Sequence, residues 1–325
     1  MPAPARPPSD RTSRLALVLA GTLWSLGGAF IKGLPVGPAG ITFYRSAFAA
    51  LALTPFLRGR RFPRWRDVVV ASLIYAALLS LYIAATKGTT AANAIFLQDT
   101  APMYAILLGP YVSGERRRRV DLITLAIAMS GIAILFLGSY HGGEKLPLLM
   151  GLGSGALFGL FQLWLKRMRD ADPIAVTFCN NAGVALLALP VLLTVAPREF
   201  GLMGSALVGS AAAVRTLGWL ALMGTVQIAL PYVLFSYGLR RVSTGEASLL
   251  ALIEPVLNPV WVALLIRELP SGPTLAGGAL ILEALTLRYV LPSGIVTGER
   301  GDQSAAPDRS AGPRGWRRSR PPPRS

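Results

Sequence analysis

Ten apolar stretches, each about as long as a helix that crosses a lipid bilayer, constrain this chain more than any other feature. They fall at 14–32, 38–57, 67–85, 89–112, 120–138, 147–166, 174–195, 213–238, 245–266 and 273–291. Hydrocarbon offers no water to satisfy a backbone, so only helices and closed barrels span it. The stretches are continuous and lack period-two alternation, which argues against a barrel and predicts helices. Charged residues are 15% of the chain, hydrophobic ones 53%, and the mean hydropathy is +0.52. A soluble domain carries about 25% charged residues. Length alone suggests roughly two soluble domains, and the apolar stretches override it. The reading is an all-α membrane protein of ten transmembrane helices.

The first stretch has a rival reading. Arg6, Arg11 and Arg14 precede it, as in a secretory signal. Lys32 and Pro35 follow without a clear small-residue cleavage site, and the run exceeds a usual signal core. It is therefore read as a retained helix behind a short tail, 1–13.

The 325-residue chain has a net charge of +16 from 32 Lys and Arg against 16 acids. Such a balance often serves nucleic acid, but here the cations sit in short clusters between apolar runs. Cationic loops mark the cytoplasmic side. With the N-terminus inside, the inner segments hold 25 Lys and Arg, the outer ones hold 6, and Arg45 lies within the second span. Both termini are expected in the cytoplasm, in a multi-pass protein of the inner membrane. The tail 292–325 is rich in Pro, Gly, Ser and Arg and has too few apolar residues to order itself. It reads as a solvated segment able to touch anionic headgroups.

One cysteine, Cys179, and one histidine, His141, cannot supply an internal disulfide or a four-ligand zinc site. No Gly-x-x-x-x-Gly-Lys-Ser/Thr loop is present, so ATP is not expected as an energy source within the chain. His141 stands in a predicted loop, and no Ser-His-Asp set is in view. No cofactor, metal or enzymatic activity is expected.

The chain contains a repeat. Thr42-Phe43-Tyr44-Arg45 matches Thr177-Phe178-Cys179-Asn180, and Pro55 falls on Pro190 at the same offset. Pro102 and Glu115 stand as far apart as Pro255 and Glu268, and that second offset aligns Lys87 with Arg240 and Asn93 with Glu246. The expected organisation is a five-helix repeat at 14–138 and another at 147–291. Five is odd, so the second copy enters the membrane inverted. Inverted repeats around a midplane site are characteristic of secondary transporters.

Over 14–291 the sequence resembles the EamA-type members of the drug/metabolite transporter superfamily. The resemblance rests on Trp24, Arg45, Pro102 through Gly114-Glu115, and Gly131. In the second half it rests on Gly245-Glu246-Ala247-Ser248, Glu254-Pro255 and Arg267-Glu268. It departs at Arg267, where the family more often has Gly, and at Glu283, where an apolar or small residue is the norm. The resemblance implies a central cavity lined by the first four spans and by the sixth to ninth. The fifth and tenth would be peripheral. It also implies movement of a small organic solute by alternating access, with export favoured over import.

Charges at membrane depth cost about 2.5–3.5 kcal/mol each on insertion scales and persist where they pair, meet water or serve function. Arg45, Asp99, Glu254 and Glu283 are such residues. Asp99 follows Gln98 and stands three residues before Pro102, while Glu254 precedes Pro255, with Asn258 one turn later. Proline opens the preceding turn of a helix, so each half places an acid beside a kink. Asp99 and Glu254 are candidates to bind a cationic group or a proton. The alternative is an ion pair with Arg45 or a helix end. Arg45 is a candidate for a substrate carboxylate or a structural partner. Trp24, Asn180 and Gln227 are further cavity candidates, as are Gln162, Trp164, Asn181, Tyr232 and Tyr237. Each is as readily packing or interfacial material. Glu115, Glu268, Pro102 and Pro255 are read as gate or packing residues. Gly151, Gly155 and Gly159 form a face for close helix contact. Glu283 has no account. The expected partners are a small-molecule substrate, of which an amino acid fits Arg45 and the acids together, the bilayer, and protons. A non-transporting membrane protein, such as a lipid-modifying enzyme or sensor, is the rival.

Overall fold

The computed structural model describes residues 10–112, 119–138, 144–238, 247 and 250–290. Glu115, His141, Arg240, Gly245, Glu246, Ser248, residues 1–9 and the tail 292–325 lie outside the described residues. The apolar stretches are mainly helical where they are described, and no strand occurs among the described residues. In chain order the helices are α1 (Asp10–Ser25), α2 (Gly27–Gly33), α3 (Pro38–Leu53), α4 (Trp65–Gly88), α5 (Ala91–Gln98), α6 (Ala101–Val112) and α7 (Arg119–Gly138). Then come α8 (Lys145–Leu165), α9 (Pro173–Val195), α10 (Pro197–Phe200), α11 (Leu202–Leu207), α12 (Ala211–Leu222), α13 (Leu230–Gly238), α14 (Ile253–Ile266) and α15 (Gly272–Val290).

Local sequence explains the boundaries. Pro38 and Pro173 open α3 and α9, where proline's missing N–H costs nothing. Side chains of Thr90, Asp172 and Ser210 accept the first free N–H groups of α5, α9 and α12. Five helical segments are long and apolar enough to cross a membrane: Arg11–Gly33, Trp65–Gly88, Lys145–Leu165, Pro173–Val195 and Ala211–Gly238. The other apolar helices are shorter or broken. The outer surface carries exposed Leu51, Leu186, Val195 and Leu264 where a soluble protein would carry charge, as a protein solvated by hydrocarbon requires.

Several breaks interrupt the bundle. A turn at Leu26 separates α1 from α2. Asp99 and Thr100 separate α5 from α6, so the interruption falls two residues ahead of Pro102. Residues Met223–Ala229 form a π-helical turn joining α12 to α13. Glu254 lies in the first turn of α14. Gly151 and Gly155 of α8 press against Leu97 and Thr100, which lets α8 pack directly on the broken α5–α6 pair. A methyl group at Gly155 would stand 2.5 Å from the Leu97 carbonyl oxygen.

Packing joins α3 to α9, α7 to α15, α1 to α13 and α14, and α8 to α4, α5 and α6. α3 and α9 run antiparallel. The Asp172 N–H at the start of α9 donates to the Arg61 carbonyl beyond the end of α3, while Glu199 beyond the end of α9 meets the start of α3. Ile31, Ile83, Leu97, Leu135, Leu192 and Leu220 fill the core.

Candidate functional site

A cavity of about 130 Å³ lies in the middle of the bundle, where the breaks converge. Trp24 of α1, Arg45 of α3, Tyr75 and Tyr82 of α4 and Phe158 of α8 line it. Gln98 and Asp99 come from the α5–α6 break, Gln227 from the π-turn, Tyr232 from α13 and Glu254 from α14. The cavity thus gathers one cation, two carboxylic groups, two amides and a rim of rings. Arg45 is 4% exposed, and no ion pair joins it to Asp99 or Glu254 among the described residues. Its Nε, one Asp99 oxygen and the Gln227 oxygen have no hydrogen-bond partner. Buried polar groups are ordinarily satisfied, so these three atoms are exceptions beside the cavity.

Each acid has a local setting. Glu254 in the first turn of α14 feels the positive end of that helix. Asp99 follows the last residue of α5, and the Leu97 carbonyl accepts both the Thr100 hydroxyl at 2.6 Å and the Thr100 N–H at 3.3 Å. Gln227 donates to the Trp24 carbonyl at 3.0 Å and ties the π-turn to α1. Gly27 makes room for that amide, since a methyl group there would stand 3.0 Å from it. The Trp24 ring meets Tyr232 edge-on, with centroids 5.2 Å apart.

Other candidates lie elsewhere. Asn180 lines an adjoining cavity of about 240 Å³ that runs from Tyr75 and Tyr232 to Met168 and Arg169. Asn181 lines it too, and its amide donates to the Thr177 carbonyl. Asn258 is buried against Gly28 with neither amide atom partnered, and it stands outside the lining. Trp164 donates to the Asp67 carbonyl and carries the Arg167 guanidinium over its ring at 4.3 Å, away from the centre. Pro255 is buried and Pro102 half-buried. Glu283 is exposed on α15, and nothing in the structure explains it.

One end of the bundle is latched. Glu268 pairs with Lys32 at 2.7 Å and accepts the Ala91 N–H at 2.7 Å, so α2, α5 and the end of α14 meet on one carboxylate. Lys32 also donates to the Thr89 carbonyl, and Lys87 donates to the Leu34 carbonyl. Glu199 takes the Gly37 and Gly40 N–H groups at 2.7 and 3.0 Å, capping α3 from a distant connection. The opposite end carries the Arg60–Asp172 pair at 2.6 Å. Sequence reasoning missed Lys32 and Glu199 as partners because each resembles an ordinary charge at the end of a span. It also missed the π-turn, for which composition gives no cue. The pair Gly27-Gly28 was the available signal of close approach. Among the described residues no group of three or more His, Cys, Asp and Glu could hold a metal ion.

A helical bundle with an apolar outside and a polar, partly unsatisfied middle is the build of a multi-pass membrane transporter. The chain belongs to the EamA-like transporter family, whose model matches residues 12–137 and again 145–289. An uncharacterized transporter of Archaeoglobus fulgidus is 28% identical over 86% of this chain and 97% of its own length. A probable terminal-alkyne amino-acid exporter of Streptantibioticus cattleyicolor is 26% identical over 84% and 91%. A pseudopaline exporter of Pseudomonas aeruginosa is 25% identical over 83% and 93%. A solved crystal structure shares the fold with a TM-score of 0.59 at 18% identity, covering 86% of this chain and 97% of the other. The relatives are transporters, which points to a transport role and away from catalysis.

Proposed function

We propose that this protein is a secondary exporter of a small zwitterionic metabolite of the amino-acid class, working by alternating access. The observation that carries the reading is the midplane cavity, where Arg45 faces the same space as Asp99 and Glu254 without pairing to either. A substrate carboxylate fits the guanidinium, and its ammonium fits the acids. Asp99 or Glu254 takes a proton when the ammonium leaves, which couples export to the proton gradient. Two relatives support the substrate class by their names, the amino-acid exporter above and a probable amino-acid metabolite efflux pump of Salmonella typhimurium.

The mechanism needs ten spans in two inverted five-helix units, 14–138 and 147–291, and the packing supports that division. Exchanging the units maps α1 on α13 onto α8 on α4, and α1 on α14 onto α8 on α5–α6. The α3–α9 and α7–α15 pairs map onto themselves. The Lys32–Glu268 latch closes the outer end, and the cavity beside Asn180 leads toward the inner, arginine-rich end. Both termini then lie in the cytoplasm, with the chain in the inner membrane.

The test is counterflow in proteoliposomes of purified protein with pooled labelled amino acids. Accelerated exchange that is lost in Arg45→Ala supports the reading. Absence of amino-acid exchange, with exchange of an organic cation or sugar intact, overturns the substrate class.

A further inference from the structure

A third cavity has no part in the central site. It measures about 730 Å³ and opens at the latched end between α2, α12 and the end of α14. α2 packs on α14 and α12 packs on α3, and the gap lies between the two pairs. Phe30 and Trp219 both line it, with ring centroids 6.0 Å apart. The walls are apolar, from Ala29, Leu265 and Ile266 among others, and no acid lines them. Arg215 is the one charged residue of the lining, exposed one turn into α12.

We propose that this groove binds one anionic phospholipid, with an acyl chain between α2, α12 and α14 and the phosphate on Arg215. An alkyl chain matches an apolar slot several times larger than the central cavity. The exposed guanidinium, a bidentate phosphate donor, stands where the headgroup of a lipid so inserted would lie. Arg267, the residue after the lining Ile266, is a second exposed cation close by in the chain. Charge and apolar surface therefore select an anionic lipid over a zwitterionic one. A chain held there packs against two latched elements and favours the state in which Lys32 and Glu268 are paired.

The test is native mass spectrometry of the full-length protein with phosphatidylglycerol or phosphatidylcholine in detergent. Wild type should retain one phosphatidylglycerol in preference to phosphatidylcholine. One surface cation is worth about fivefold against an anionic lipid, so Arg215→Gln should cut the preference by about that factor. Ala212→Trp, at an exposed position of the groove wall, should lower retention of both lipids. Melting temperatures without lipid check that both variants fold. Equal retention of the two lipids by wild type, or unchanged preference in Arg215→Gln, overturns the proposal. Displacement of the bound lipid by a transported solute also overturns it, by making the groove part of the solute's route. Exchange of amino acids bears on the central cavity alone, so the two readings fail separately.

Discussion

At the residue scale, the proposed site rests on buried charges whose cost a guest or a proton would offset. Leaving a buried charged donor unsatisfied costs about 1–3 kcal/mol or more, and Arg45 Nε is such a donor. A ligand carboxylate recovers that cost, so Arg45→Ala should weaken binding of a carboxylate ligand by about 1.5–3 kcal/mol, roughly 10–150-fold. Isothermal titration or ligand-induced melting shifts would read this, and an unchanged affinity would give Arg45 a structural role only. Asp99→Asn separates coupling from binding. If the carboxylate carries the proton, the variant keeps solute exchange and loses accumulation driven by a pH gradient. Full retention of gradient-driven transport would remove Asp99 from the coupling step. Arg45, Asp99 and Glu254 stood out in the sequence because a charge within an apolar run is costly anywhere. Asn258 was legible as polar but not by its surroundings, since only the tertiary approach of Gly28 puts it against α2.

At the element scale, the breaks matter more than the helices. A break exposes backbone carbonyls and turns neighbouring side chains toward the middle, and here breaks come from both halves of the chain. Prolines announced those near Asp99 and Glu254, yet the first falls ahead of Pro102, at Asp99 and Thr100, where α8 glycines press on the chain. The π-turn at Met223–Ala229 has no signature, because a five-residue step needs no special residue. Close packing of α8 on α5 predicts that Gly155→Val, with added atoms against the Leu97 carbonyl, separates the two helices. The variant should lose several degrees of melting temperature and most of its transport. Wild-type stability would show that α8 can shift without cost. The latch joins elements far apart in the chain through one carboxylate. With Cys179 first replaced by Ser, a cysteine placed at Ala91, which is wholly buried under the latch, should resist a membrane-impermeant maleimide. Adding Glu268→Gln should make it react several times faster from the latched face. Equal rates with and without that change would show that the pair holds nothing closed.

At the scale of the whole molecule, orientation and symmetry reduce to one question about two connections. Charge distributes unevenly between the ends of the bundle, and the geometry explains part of why. Lys32 and Lys87 at the latched end are used locally, on Glu268 and on the Thr89 and Leu34 carbonyls. Arg58, Arg61, Arg64 and Arg66 at the other end are exposed, as the proposed cytoplasmic placement of that end requires. In the proposed repeat the second and seventh spans are equivalent, so the segments that follow them lie on opposite sides of the membrane only if the second unit is inverted. Gly59 and Gly209 sit in those segments, each at positive φ (75° and 88°) with nothing within 4 Å of an added methyl group. Both turns therefore tolerate insertions. A fluorescent protein inserted after Gly59 should mature in the cytoplasm, and alkaline phosphatase inserted there should be inactive. After Gly209 the two reporters should exchange outcomes, and a fusion after Ser325 should match Gly59. The same side for Gly59 and Gly209 would abolish the inversion and, with it, a mechanism in which each unit takes the shape its partner has just left. Opposite sides with Gly59 outside would keep the inversion and reverse the membrane orientation, placing the latch on the cytoplasmic face.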